Sequence, residues 1–168
     1  MTGAATQGPA LASGVGGWQV RPARTDDVPA VAAAVAALLQ ELGATPPPTR
    51  AIESEARAHI EDPSLGIVLV ASADSEVVGV LTASWARAIQ VAGRLLTIEV
   101  LWTRGEWRDR GVGAGLVHAL AVAAAAEGAG RVEVGLPREG FPALRATERF
   151  YLANGFERLG PRMRRAVP

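Results

Sequence analysis

Over residues 95–116 the chain reads LLTIEVLWTRGEWRDRGVGAGL, and this stretch decides the fold. Residues 95–102 are an apolar run of strand length. A polar loop follows over residues 103–113, carrying Arg104, Arg108 and Arg110 together with Gly105, Gly111 and Gly113. An alanine-rich helix is expected from Ala114 to about Glu127, stopped by the glycines at 128 and 130. First-turn amides of a helix have no acceptor of their own, and with the helix dipole they attract anions. Glycine lets the backbone approach an anion with no Cβ in the way. Arg108 and Arg110 can add charge-assisted hydrogen bonds. The order strand, glycine loop, helix start therefore reads as a cradle for phosphate or diphosphate.

Other readings of the loop fare less well. A Walker loop needs Gly-Lys-Ser/Thr before its helix, and no lysine stands here. A dinucleotide fingerprint needs a third glycine at position 116, which is Leu116, and glycines directly after the strand, where a polar segment intervenes. On spacing alone, a connection that merely packs helix on strand stays open.

Working outward, residues 1–17 are rich in Gly, Ala, Ser and Thr without periodicity, the composition of a flexible tail. Residues 18–21 suit a first strand. Thr25, Asp26, Asp27 and Pro29 suit a helix start. Val28, Val31, Ala32, Val35, Leu38, Leu39 and Leu42 then fall on one helical face, ended at Gly43. Three prolines at 46–48 precede a more polar helix over residues 50–60. Strands are expected at 66–71 and 77–85, joined by a turn at Asp74 and Ser75, and a hairpin at Ala92 and Gly93 leads into the quoted strand. After the alanine-rich helix come a strand at 131–136 and a helix at 141–154 with Gly155 as its cap. The tail over residues 156–167 has room for one or two short strands. The order predicts a mixed α/β (α+β) fold, a single domain over residues 18–168.

The 168 residues suffice for one such domain. Seventeen basic and seventeen acidic side chains cancel, which gives no electrostatic case for nucleic acid or an acidic membrane. No cysteine is present, so there is neither a disulfide nor a thiolate metal site, in keeping with a cytoplasmic location. No stretch has the ~20 apolar residues a membrane helix needs. His59 and His118 are far apart without a carboxylate pattern, so no metal is expected. Ser84 lacks the glycines of a nucleophile elbow.

The loop also resembles a known family. Arg108-x-x-Gly111-x-Gly113 is similar to the Arg/Gln-x-x-Gly-x-Gly/Ala motif of the GNAT N-acetyltransferases, and Phe150-Tyr151-x-x-x-Gly155-Phe156 is similar to their closing motif. The resemblance implies a mostly antiparallel mixed sheet with helices on both faces, and acetyl-CoA as cosubstrate. It places the coenzyme diphosphate on Arg108, Asp109, Arg110, Gly111, Val112, Gly113, Ala114 and Gly115, and the pantetheine arm along Leu101, Trp102 and Thr103. It implies direct transfer of the acetyl group to a primary amine of a small molecule or peptide. Homodimers are frequent in the family. One departure is Leu144, where the family commonly has an Asn early in the last helix.

Transfer from a thioester to an amine requires a proton acceptor for the amine and a proton donor for the departing sulfur. Glu99 is the candidate base, a lone carboxylate within an apolar strand. On strict alternation it shares a face with Thr97, Leu101 and Thr103. An ion pair with Arg94 or Arg87, or exposure at a sheet edge, accounts for it equally. Tyr151 falls on the family tyrosine that faces the coenzyme sulfur and is the candidate acid; an aromatic core residue is the plain alternative. A non-catalytic acyl-CoA-binding module is the second functional reading, and the acceptor amine is not legible.

Overall fold

The computed structural model of the chain describes residues 11–160. Six strands form one sheet in sequence order: β1 (Ala12–Ser13), β2 (Trp18–Pro22), β3 (Gly66–Ala73), β4 (Glu76–Ala88), β5 (Gly93–Thr103) and β6 (Arg131–Val134). Neighbours are antiparallel except β5 and β6, which are parallel. A parallel pair needs a long crossover, supplied here by helix α3 (Val112–Ala126). Helices α1 (Val28–Glu41) and α2 (Thr49–Glu61) connect β2 to β3, and α4 (Leu144–Ala153) follows β6.

Period-two alternation sorts β3 between two cores. Val68 and Val70 face α1, packing with its Val31 and Ala34 and with Val80 of β4. Leu69 and Ala71 face the other way, into a larger core with Leu81, Leu96 and the α3 residues Leu116, Val117 and Leu120. The sheet thus carries helices on both faces, as expected. Gly79 of β4 makes the close approach of α3 possible: a Cβ there would stand 2.7 Å from Val112 Cγ1 and 3.1 Å from a Leu116 methyl.

Several boundaries differ from the sequence expectation. Helix α3 starts two residues early, at Val112, because Gly111 takes a left-handed conformation (φ 79°) and serves as its N-cap. Strand β6 ends at Val134 and α4 begins at Leu144, both inside their expected spans. Within the expected tail, Ala12 and Ser13 pair with Val20 and Gln19; residues 1–10 lie outside the described residues. No strand occurs over residues 156–160, and the rest of the expected final strand region lies outside the described residues.

Strand β5 departs from regular alternation. Val100 pairs with Thr82 and Ile98 with Ala83, so Glu99 is an extra residue in a β-bulge. A bulge shifts the side-chain phase by one. Ile98 and Leu101, three positions apart, therefore both reach the α3 core, while Trp102 packs on the α1 side. The expected common face for Thr97, Glu99, Leu101 and Thr103 is broken at the bulge.

Candidate active site

Beside the bulge the sheet opens. Pairing of β5 with β6 runs only from Leu95 with Arg131 to Ile98 with Val134. Strand β6 ends at that pair, and residues 99–103 of β5 have no strand on that side among the described residues. The opening is a cleft of about 610 Å³. Glu99, Leu101, Trp102 and Thr103 line it from β5, Gly111 to Ala114 from the loop and first turn of α3, and Phe150, Tyr151 and Asn154 from α4. Leu38, Glu41 and Leu42 close it from the end of α1.

At one end stands the start of α3. The first helical hydrogen bond runs from Gly115 N–H to Gly111 O (2.9 Å), so the amides of Val112, Gly113 and Ala114 precede any acceptor within the helix. Gly113 is the close-approach position, since a Cβ there would lie 3.3 Å from the Phe150 ring and 3.8 Å from Thr103 Oγ1. Free amides, the dipole and a missing side chain at one spot fit a diphosphate.

Each of the three loop arginines has a contact within the protein. Arg104 is tied to Glu76 (2.7 Å) and to the Val77 carbonyl (2.9 Å). Arg108 donates to the Thr103 carbonyl (3.1 Å) and to both carboxylate oxygens of Glu41. The Arg110 guanidinium lies 5.2 Å from the Trp107 ring centroid. Asp109 lines the cleft with a left-handed φ of 60°.

Arg110 and Gly115, both expected at the coenzyme, do not line the cleft. The Gly115 amide is committed to Gly111, and its Cα faces the Trp18 ring so closely that a Cβ would collide with it. Trp18, only 5% exposed, also donates from Nε1 to the Arg110 carbonyl (3.0 Å). Nothing in the sequence joins Trp18 to a loop more than ninety residues later.

Glu99, set in an apolar strand, is nonetheless exposed on the cleft. It has no ion pair among the described residues; Arg94, its expected alternative partner, lies 3.9 Å over the Trp85 ring. Tyr151 is 7% exposed and meets Phe150 and Phe156 edge to face, with centroids 5.2 and 5.1 Å away. Burial pushes its hydroxyl up to about 12. That hydroxyl has no hydrogen-bond partner among the described residues, yet it is not sealed from the cleft. Leu144 is half-buried at the start of α4 and does not line the cleft.

The histidines stand apart. His118 is exposed on α3. His59 places Nδ1 2.9 Å from the Glu55 carbonyl, so Nδ1 donates and Nε2 accepts from the Ser84 hydroxyl at 3.3 Å. This pairing fastens α2 to β4. Among the described residues there is no cluster suited to a metal ion, and no helix is long and apolar enough to cross a membrane.

Comparison with known proteins agrees with this arrangement. A sequence comparison with curated proteins returned no significant match. Among solved structures, an aminoglycoside N-acetyltransferase in complex with CoA superposes with a TM-score of 0.75 at 15% identity, covering 89% of this chain and 94% of that one. A possible acetyltransferase from Clostridium difficile 630 gives 0.72 at 17% identity, covering 90% and 98%. A ribosomal-protein-alanine N-acetyltransferase from Brucella melitensis biovar Abortus 2308 gives 0.69 at 16%, covering 90% and 99%. At these identities the likeness establishes the fold. Residues 35–156 match the model of the acetyltransferase (GNAT) family, and over more than half its length the chain thereby belongs to that family.

Proposed function

We propose that this chain is an N-acetyltransferase that moves the acetyl group of acetyl-CoA directly to a primary amine of a small molecule or peptide. The observation that carries this reading is the cleft that opens beside β5 where β6 ends, with α3 amides that have no acceptor within the helix at one end and Glu99 and Tyr151 on its walls. Acetyl-CoA supplies an activated thioester. The amides of Val112, Gly113 and Ala114 bind its diphosphate, while the free edge of β5 at Leu101, Trp102 and Thr103 offers strand-like hydrogen bonds to the pantetheine amides.

Glu99, on the open side, takes the proton of the attacking amine, directly or through a water. As the new C–N bond forms and the C–S bond breaks, Tyr151 delivers its proton to sulfur; a phenol holds that proton at neutral pH. Two of the similar structures are named for an aminoglycoside and for a ribosomal-protein alanine. Their acceptors span the small-molecule and peptide amines proposed here.

The test is calorimetry with CoA, followed by CoA release from acetyl-CoA over a panel of amines, peptides and aminoglycosides. Wild type is expected to bind CoA and turn over at least one amine. Gly113→Val, which crowds Phe150, is expected to weaken binding at least about tenfold. Binding without turnover on any amine favours the acyl-CoA-binding module; absence of binding removes the proposal.

A further inference from the structure

We infer that Trp18 is a positioning residue for the coenzyme: its indole N–H sets the peptide plane at the mouth of α3 that presents the Gly111 amide to the diphosphate. The inference rests on the reading of a diphosphate at this loop. Trp18 lies at the start of β2, paired with Ala73 of β3, and its ring enters the core beneath α3. Two contacts join it to the loop. Nε1 donates to the Arg110 carbonyl at 3.0 Å, and the ring fills the space over Gly111 and Gly115, lying 3.6 Å from where a Gly111 Cβ would stand.

The consequence follows from peptide geometry. In a planar trans peptide the carbonyl and the N–H point in opposite directions. Holding the Arg110 carbonyl toward Trp18 therefore turns the Gly111 N–H the other way. Gly111 lines the cleft, whereas Trp18 and Arg110 do not. The loop backbone has reason to need such a hold. Asp109 and Gly111 both take left-handed conformations, at φ 60° and 79°, so the 109–111 segment is not locked by regular secondary structure. A buried side chain from the far end of the sheet supplies the constraint. Gly115 then has a structural purpose that its place in a glycine motif conceals: it admits the Trp18 ring.

Two variants separate the bond from the packing. Trp18→Phe keeps an aromatic ring against Gly115 and removes the donor; Gly115→Ala keeps the donor and pushes the ring. Each is measured for folding by circular dichroism and melting, for CoA affinity by calorimetry, and for turnover with acetyl-CoA against S-acetylpantetheine, which lacks the diphosphate. The expected result is a folded Trp18→Phe whose CoA affinity falls about tenfold while its kcat/KM with S-acetylpantetheine stays within about twofold of wild type. The smaller phenyl ring is expected to relieve the Gly115→Ala defect in the double variant. Equal loss with both thioesters would mark a merely structural role and overturn the inference. So would unchanged CoA affinity in both single variants of a wild type that binds CoA. A wild type that does not bind CoA removes the underlying reading and the inference with it.

Discussion

Arg108, the arginine of the glycine motif, is held by Glu41, the last residue of α1, with Nη2 at 2.7 and 2.9 Å from the two carboxylate oxygens. The pair joins the glycine loop to the end of α1, and both residues line the cleft. Both side chains are about half exposed, so the bond contributes no more than about 1 kcal/mol to stability. Glu41→Gln should melt within a few degrees of wild type. It should also bind CoA two- to fivefold more tightly, because Arg108 no longer shares its charge with a carboxylate. Calorimetry at two salt concentrations checks this; weaker binding would mean that Glu41 orients Arg108 toward the diphosphate.

Tyr151→Phe removes a hydroxyl that has no hydrogen-bond partner among the described residues and leaves the edge-to-face stack intact. Its kcat should fall roughly a hundred- to ten-thousandfold, the general range of a positioned proton donor, with little change in the acetyl-CoA KM. Steady-state kinetics with a responsive amine decide it.

The same tyrosine predicts an alkaline effect. Its folded hydroxyl titrates at about 12, above the ordinary value of 10. Below pH 10 both folded and unfolded chains hold the proton and nothing is lost. Between pH 10 and 12 the unfolded chain releases it while the folded chain does not, so stability declines, by about 3 kcal/mol at most. Urea denaturation across that window should show a component present in wild type and missing in Tyr151→Phe.

Glu99→Gln should leave stability within about 0.5 kcal/mol, since the side chain is exposed and has no ion pair among the described residues. Turnover should drop by one to three orders of magnitude while CoA affinity is unchanged. An unimpaired rate would assign the proton to water or to the acceptor itself.

Asp27 is the one buried carboxylate of the described residues. Burial works to raise its pKa. Hydrogen bonds from the Arg21 guanidinium (2.6 and 2.9 Å) and the Arg24 amide (2.7 Å) outweigh that and hold the carboxyl below the usual range. Its contribution is present above the ordinary carboxylate pKa and is lost as pH falls below it. Asp27→Asn should cost about 1–3 kcal/mol at pH 7, and the gap from wild type should narrow on acidification in parallel urea titrations.

The local chemistry of the chain determined a good deal of this protein. The apolar face from Val28 to Leu42, the strands around Val70 and Leu96, and Gly155 after α4 are readable because periodicity and cap residues act over a few positions. The glycine loop before α3 was legible for the same reason: an anion cradle is built from consecutive backbone amides. Only the tertiary structure decided the bulge that makes Glu99 an exposed extra residue, the capture of Arg104 and Arg108 by Glu76 and Glu41, and the union of Trp18 with Gly115. These depend on which strands lie side by side and in what register. Such long-range pairings are set by burial of the whole sheet between its two helical layers, which no local pattern of residues records.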